Sequence, residues 1–96
     1  MSLTISIVMA TYNGEKFIAE QLNSIVPYLS DQDELIVSDD GSEDSTRAIV
    51  EDTIRTHPIV KLIDGPQKGV VKNFENALYA ASKDIICRSR RCLDAK

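Results

Sequence analysis

Leu35-Ile36-Val37-Ser38-Asp39-Asp40-Gly41-Ser42 joins an apolar run to two acids and a glycine. An apolar run of this length, bounded by a polar loop on one side and a glycine on the other, reads as a short buried strand. Two adjacent carboxylates and a glycine follow at its C-terminal end, where open α/β sheets bind their ligands. Adjacent acids repel one another and are costly to desolvate, so the pair implies a donor-rich or cationic partner.

Working outward, Leu3 to Met9 is rich in β-branched residues and partly alternating, which predicts a first strand. Asn13-Gly14 ends it, and from Glu15 the apolar residues Ile18, Leu22, Ile25 and Leu29 fall on one helical face. Pro27 weakens that helix near its end. The polar loop Asp31-Gln32-Asp33 leads into a second strand from Glu34 to Val37. Asp44 or Ser45 can cap a second helix with Ile49, Val50 and Ile54 as its apolar face, and His57-Pro58 stops it. Ile59 to Ile63 reads as a third strand and Asp64-Gly65-Pro66 as a turn. A third helix follows from about Gly69, with Val70, Phe74, Leu78 and Ala81 inward, and a fourth strand begins at Lys83-Asp84-Ile85-Ile86. Such alternation packs as a mainly parallel sheet of about four strands with three helices on its faces, a Rossmann-like α/β three-layer sandwich.

Composition bounds the function. The chain has 96 residues, 43% hydrophobic and 27% charged, with a formal net charge of -4. That is one domain at most, and the acidic balance argues against nucleic acid as a partner. No apolar stretch is long enough to span a bilayer, and Met1-Ser2-Leu3-Thr4 lacks the basic start of a signal peptide, so the expected location is cytoplasmic. Cys87 and Cys92 with a single histidine, His57, make neither a disulfide framework nor a zinc site.

In a parallel sheet with adjacent first and second strands, Ala10-Thr11-Tyr12-Asn13-Gly14 and Ser38-Asp39-Asp40-Gly41-Ser42 share one rim and can face a common ligand. An aromatic ring beside a carboxylate suits a nucleotide base. Stacking is worth ~1–3 kcal/mol and a hydrogen bond to a charged acceptor about 1.5–3 kcal/mol. Each element also has a plain structural reading. Asp39 and Asp40 suit Asx turns, Tyr12 can pack on Phe17, Asn13-Gly14 is a common turn, and Lys68 is either a phosphate ligand or a solvated loop residue.

These two motifs, with Asp44-Ser45-Thr46 beyond the second, resemble the amino-terminal half of a family 2 glycosyltransferase of the GT-A fold. Lys72-Asn73-Phe74-Glu75-Asn76-Ala77-Leu78 is similar to the branch of rhamnosyltransferases and cell-wall or polysaccharide transferases. The resemblance implies a nucleotide-sugar donor, UDP- or dTDP-linked, whose base lies against Ala10, Thr11 and Tyr12. It places Asp40 at the base edge with Asp39 beside it, and Lys68 or Lys72 near the diphosphate. It further implies a divalent metal, Mn or Mg, held in the full-length family by an Asp-x-Asp element after the fourth strand.

That element is not read in this frame, and no catalytic or metal-binding residue is assigned. Residues 1–86 are expected to form the donor-binding half, and Cys87 to Lys96 changes character abruptly, with three arginines in four positions. Codons can be chosen for this tail that, read one base out, spell Ala-Asp-Gln-Asp-Asp-Val-Trp-Met-Pro, the branch's metal motif. The tail is therefore expected to be a frameshifted, non-native end, the chain itself inactive, and its fourth strand open to self-association.

Other classes fit less well. A nicotinamide-binding domain wants G-x-G-x-x-G after the first strand, which Ala10-Thr11-Tyr12-Asn13-Gly14 lacks. A receiver-like module places its paired acids after the first strand rather than the second. A nonenzymatic nucleotide-binding or self-associating fragment is the remaining alternative. Sequencing the DNA past the codon for Ile86 is expected to reveal the metal motif and an acceptor half in a second frame; their absence from every frame would contradict the frameshift.

Overall fold

The computed structural model describes residues 3–88. Their order is β1 (Ile5–Thr11), α1 (Ile18–Ile25), a 3-10 turn (Val26–Tyr28), β2 (Glu34–Asp39), α2 (Thr46–Thr56), β3 (Val60–Asp64), α3 (Val70–Ala80) and β4 (Ile85–Arg88). Pro27 enters at the start of the 3-10 turn, so it tightens the end of α1 rather than breaking it earlier. The tail expectation for the residues beyond Arg88 lies outside the described residues; Cys87 and Arg88 still pair in β4, opposite Ile7 and Val8.

The four strands form one parallel sheet in the order β3-β2-β1-β4. The first two crossovers step one way across the sheet and the third steps back past β1. Right-handed crossovers then put α1 and α2 on one face and α3 on the other. Packing agrees. Met9, Leu35 and Val37 meet Ile18, Leu22 and Val50 on the first face, while Val8 and Ile36 meet Ala77, with Phe74, Leu78 and Ala81 beside them, on the second. The reversal between β1 and β4 is a topological switch point, and the crevice outside the strand ends belongs there.

One expectation is corrected. Val70 does not join the inward stripe of α3: it is 70% exposed, and the buried positions are Asn73 and Ala77. The first turn of α3 lies beyond the strand ends, so Val70 overhangs the rim and the stripe begins one turn later.

At the opposite end of the sheet, Glu34 is buried, and its carboxylate accepts hydrogen bonds from Ser6 Oγ (2.6 Å), Lys61 Nζ (2.9 Å) and the backbone N–H (2.8 Å) and hydroxyl (3.0 Å) of Ser82. This ties β1, β2, β3 and the approach to β4 at a single group. Burial alone would raise its pKa, but the bonds from Ser6, Lys61 and Ser82 outweigh it and lower the value from 4.5 to about 2. A depressed carboxylate stabilises the fold above its unfolded pKa and loses that contribution as pH falls toward its folded one. Glu34→Gln is therefore expected to cost on the order of 2 kcal/mol at pH 7. In urea titrations, the gap between wild type and variant should close between pH 4.5 and about 2.

Candidate functional site

The rim is built from the ends of β1, β2 and β3 and the start of α3. Register places Ala10 beside Ser38 and Thr11 beside Asp39. Side chains alternate along a strand, so the adjacent acids are parted: Asp39 turns to the α1/α2 face and Asp40 to the α3 face.

Asp39 is fully buried, with its carboxylate saturated. Its Oδ1 accepts from Thr11 Oγ1 (2.7 Å) and Ser42 Oγ (2.6 Å), and its Oδ2 from the Ser42 backbone N–H (2.9 Å) and Arg47 Nη1 (3.3 Å). A carboxylate offers about four acceptor positions, so none is left for a ligand. Burial would raise its pKa, yet the bonds from Ser42, Thr11 and Arg47 hold it below the usual range. Arg47 continues to Asp64 at 2.8 Å, linking the ends of β2 and β3 through α2.

The loops around this knot are stitched to each other. Asn13 donates its backbone N–H to Ser42 Oγ (2.7 Å) and accepts the Glu43 N–H on Oδ1 (2.8 Å). Gly14 N–H bonds Thr46 Oγ1 (2.8 Å), and Glu15 and Asp44 exchange contacts with the backbone of Ser45 and Glu15 (2.8 and 3.2 Å). Asn13 sits at φ 50, the left-handed conformation that asparagine tolerates.

Across the sheet, Asp40 is half-buried and faces a groove of about 440 Å³. Its walls include Ala10, Tyr12, Asp40, Gly41, Gln67 and Val70. Tyr12 is 60% exposed there and offers a ring face. Asp40 Oδ1 accepts the backbone N–H of Gln67. The loop holding Gln67 approaches closely at Gly65, whose N–H bonds the Asp39 carbonyl at 2.7 Å. A Cβ on Gly65 would strike Asn73 Oδ1 and Asp40 Oδ1, so only glycine fits. The buried Asn73 pins α3 beneath the groove: it accepts from Ser38 Oγ (2.7 Å) and donates to the Thr11 carbonyl (3.2 Å).

Of the residues expected from the sequence, Ala10, Tyr12 and Asp40 line one groove. Thr11 and Asp39 lie beneath it, bonded to each other, and Lys68 is exposed on the β3–α3 loop, outside the groove lining. Lys72 pairs with Glu75 along α3 at 3.7 Å. Sequence reading missed Gln67, Arg47, Asn73 and Gly65, whose roles come from partners 8 to 62 positions away. Among the described residues no three His, Cys, Asp or Glu side chains converge as a metal site, so no step through a metal is derived from them.

With this geometry in view, comparison with known proteins is direct. The family model for glycosyl transferase family 2 matches residues 6–89, and the chain belongs to that family. It is 39% identical over 80 residues to the dTDP-rhamnosyl transferase RfbG of Shigella flexneri, covering 80% of this chain and 26% of that protein. Among solved structures it resembles the mannosyltransferase PcManGT from Pyrobaculum calidifontis in complex with GDP-Man and Mn2+, with TM-score 0.78, 27% identity, 90% of this chain and 26% of that one. It also resembles S. aureus TarS in complex with UDP, with TM-score 0.76, 31% identity, 91% of this chain and 27% of that one. The fold is thus that of GT-A glycosyltransferases, and the chain spans about a quarter of the length of these relatives.

The two acids are expected to part in denaturation as they do in space. Asp39→Ala should lower stability by ~2–4 kcal/mol, leaving Thr11 and Ser42 without their acceptor and Arg47 with Asp64 alone. Asp40→Ala should cost less than about 1 kcal/mol. Urea unfolding of both variants checks this, and equal losses would contradict the division.

Proposed function

We propose that this chain supplies the donor-nucleotide half of a glycosyltransferase that moves a sugar from a UDP- or dTDP-linked donor to a saccharide or lipid-linked acceptor. The observation that carries the reading is the groove at the C-terminal rim of β1 and β2, where Tyr12 is exposed and Asp40 offers a carboxylate while Asp39 is consumed by the fold beneath. The base stacks on Tyr12, Asp40 accepts a ring N–H, and the backbone at Ala10 and Thr11 forms the floor. Lys68, on the loop leading into α3, stands toward the diphosphate.

Related proteins support the chemistry. One is named for a dTDP-linked sugar, one was solved with UDP and one with GDP-Man and Mn2+. Transfer needs leaving-group stabilisation and a base for the acceptor hydroxyl. We assign neither to residues 3–86, which bind and orient the donor; a divalent metal, Mn or Mg, and the acceptor pocket belong to the whole protein. The relative named as a dTDP-rhamnosyl transferase, with the likeness of Lys72 to Leu78 to that branch, favours cell-wall or polysaccharide synthesis. Among the described residues no helix is long and apolar enough to cross a membrane. A charged nucleotide does not pass a bilayer, and we place the reaction in the cytoplasm, where such donors are made. A nonenzymatic, self-associating role is not favoured, since family membership and the groove both point to a donor site.

One stack and one or two hydrogen bonds give a Kd of about a millimolar, on the order of 4 kcal/mol. Titrating UDP into the isotope-labelled chain should shift amides at Tyr12, Asp40, Gly41 and Gln67. Tyr12→Ala should weaken binding by ~5-fold or more. Shifts confined to the Lys61 and Lys83 end of the sheet would contradict the reading.

A further inference from the structure

We propose that Gln67, beside Asp40, sets base specificity, favouring bases that present a ring N–H flanked by a carbonyl oxygen, uracil and thymine among them, over cytosine. The inference rests on the donor-site reading above and adds the atoms that choose among bases.

Three observations carry it. Gln67 holds the left-handed backbone at φ 59, and in that conformation its N–H points at Asp40 and is accepted by Oδ1. Its carboxamide lies along Gly41: a Cβ built there would be 3.1 Å from both Cδ and Nε2 of Gln67, and Gly41 itself sits at φ 86. Gly41 therefore makes the space in which the carboxamide enters the groove next to Asp40.

The consequence is a hydrogen-bond pattern. With Oδ1 engaged by Gln67, Asp40 presents Oδ2 to a ligand and accepts one ring N–H. Beside it, the Gln67 amide supplies a donor. A pyrimidine-2,4-dione offers the complement, a ring N–H flanked by carbonyl oxygens. Guanine presents the same ring N–H beside a carbonyl oxygen, so this pair does not select against it. Cytosine turns a ring-nitrogen lone pair onto the carboxylate. Two opposed acceptors in a site built on hydrogen bonds are strongly rejected.

The test is an NMR titration of the chain with UDP, dTDP and CDP, run alongside three variants whose amide spectra first establish that they fold. Wild type should bind UDP and dTDP at least about 10-fold more tightly than CDP. Gln67→Gly keeps the N–H and the positive φ but deletes the carboxamide, and should weaken UDP by about 3- to 10-fold. Gln67→Glu places an acceptor against the base carbonyl and should weaken UDP further than the glycine variant. Asp40→Asn should reverse the order to CDP over UDP, because its Oδ1 keeps the Gln67 bond while its amide donates to the cytosine ring nitrogen. Groove shifts with equal affinity for all three nucleotides, or Gln67 variants that bind UDP as wild type does, would overturn the assignment and leave the donor site standing. No groove shift with any nucleotide would overturn the donor site and this inference with it.

Discussion

A carboxylate buried at the C-terminal end of β2, saturated by four hydrogen bonds, is the constraint on which the rim depends. Asp39 draws in Thr11 from β1, Ser42 from the following loop and Arg47 from α2, so the ends of two strands and the start of a helix meet at one charge. Its burial is tolerated because every lone pair is used. Strand geometry then extends the effect by one residue. With Asp39 fixed toward α1 and α2, Asp40 must face α3, and the second carboxylate arrives in the groove with its direction already set.

Topology decides where that groove lies. Successive right-handed crossovers give α1 and α2 to one face, and the reversal toward β4 gives α3 to the other. The split opens the sheet's C-terminal edge between β1 and the first turn of α3. Asn73 holds the helix there through Ser38 and Thr11, and Gly65 lets the β3–α3 loop close down on Asp40. The groove is thus a product of where the chain turns back, and its walls come from three separate loops.

Much of this was legible in the sequence because it is local. Apolar runs and helical periods located all four strands and three helices, and the two rim motifs are loops that meet at one groove. What local pattern did not give was the division of labour within Asp39-Asp40. Capping by Asx-type bonds and ligand binding were both open readings of the pair; the structure seats Asp39 in the first role and leaves Asp40 available for the second. Which acid takes which role depends on the face each occupies, and that depends on crossovers tens of residues away. Val70 was misplaced for a related reason, since periodicity does not tell where a helix overruns its sheet. Gln67 and Arg47 gave no signal at all, and Asn73 stood only inside a stretch of family likeness with no role attached: each is an ordinary polar residue until folding brings its distant partner to it.

The proposed seat of the nucleotide base, between Tyr12 and Asp40 at this rim, is open to intermolecular NOE spectroscopy with UDP at millimolar concentration. Cross-peaks between the base protons and the Tyr12 ring are expected. Cross-peaks to Lys61 or Lys83 at the far end of the sheet, with none to Tyr12, would contradict it.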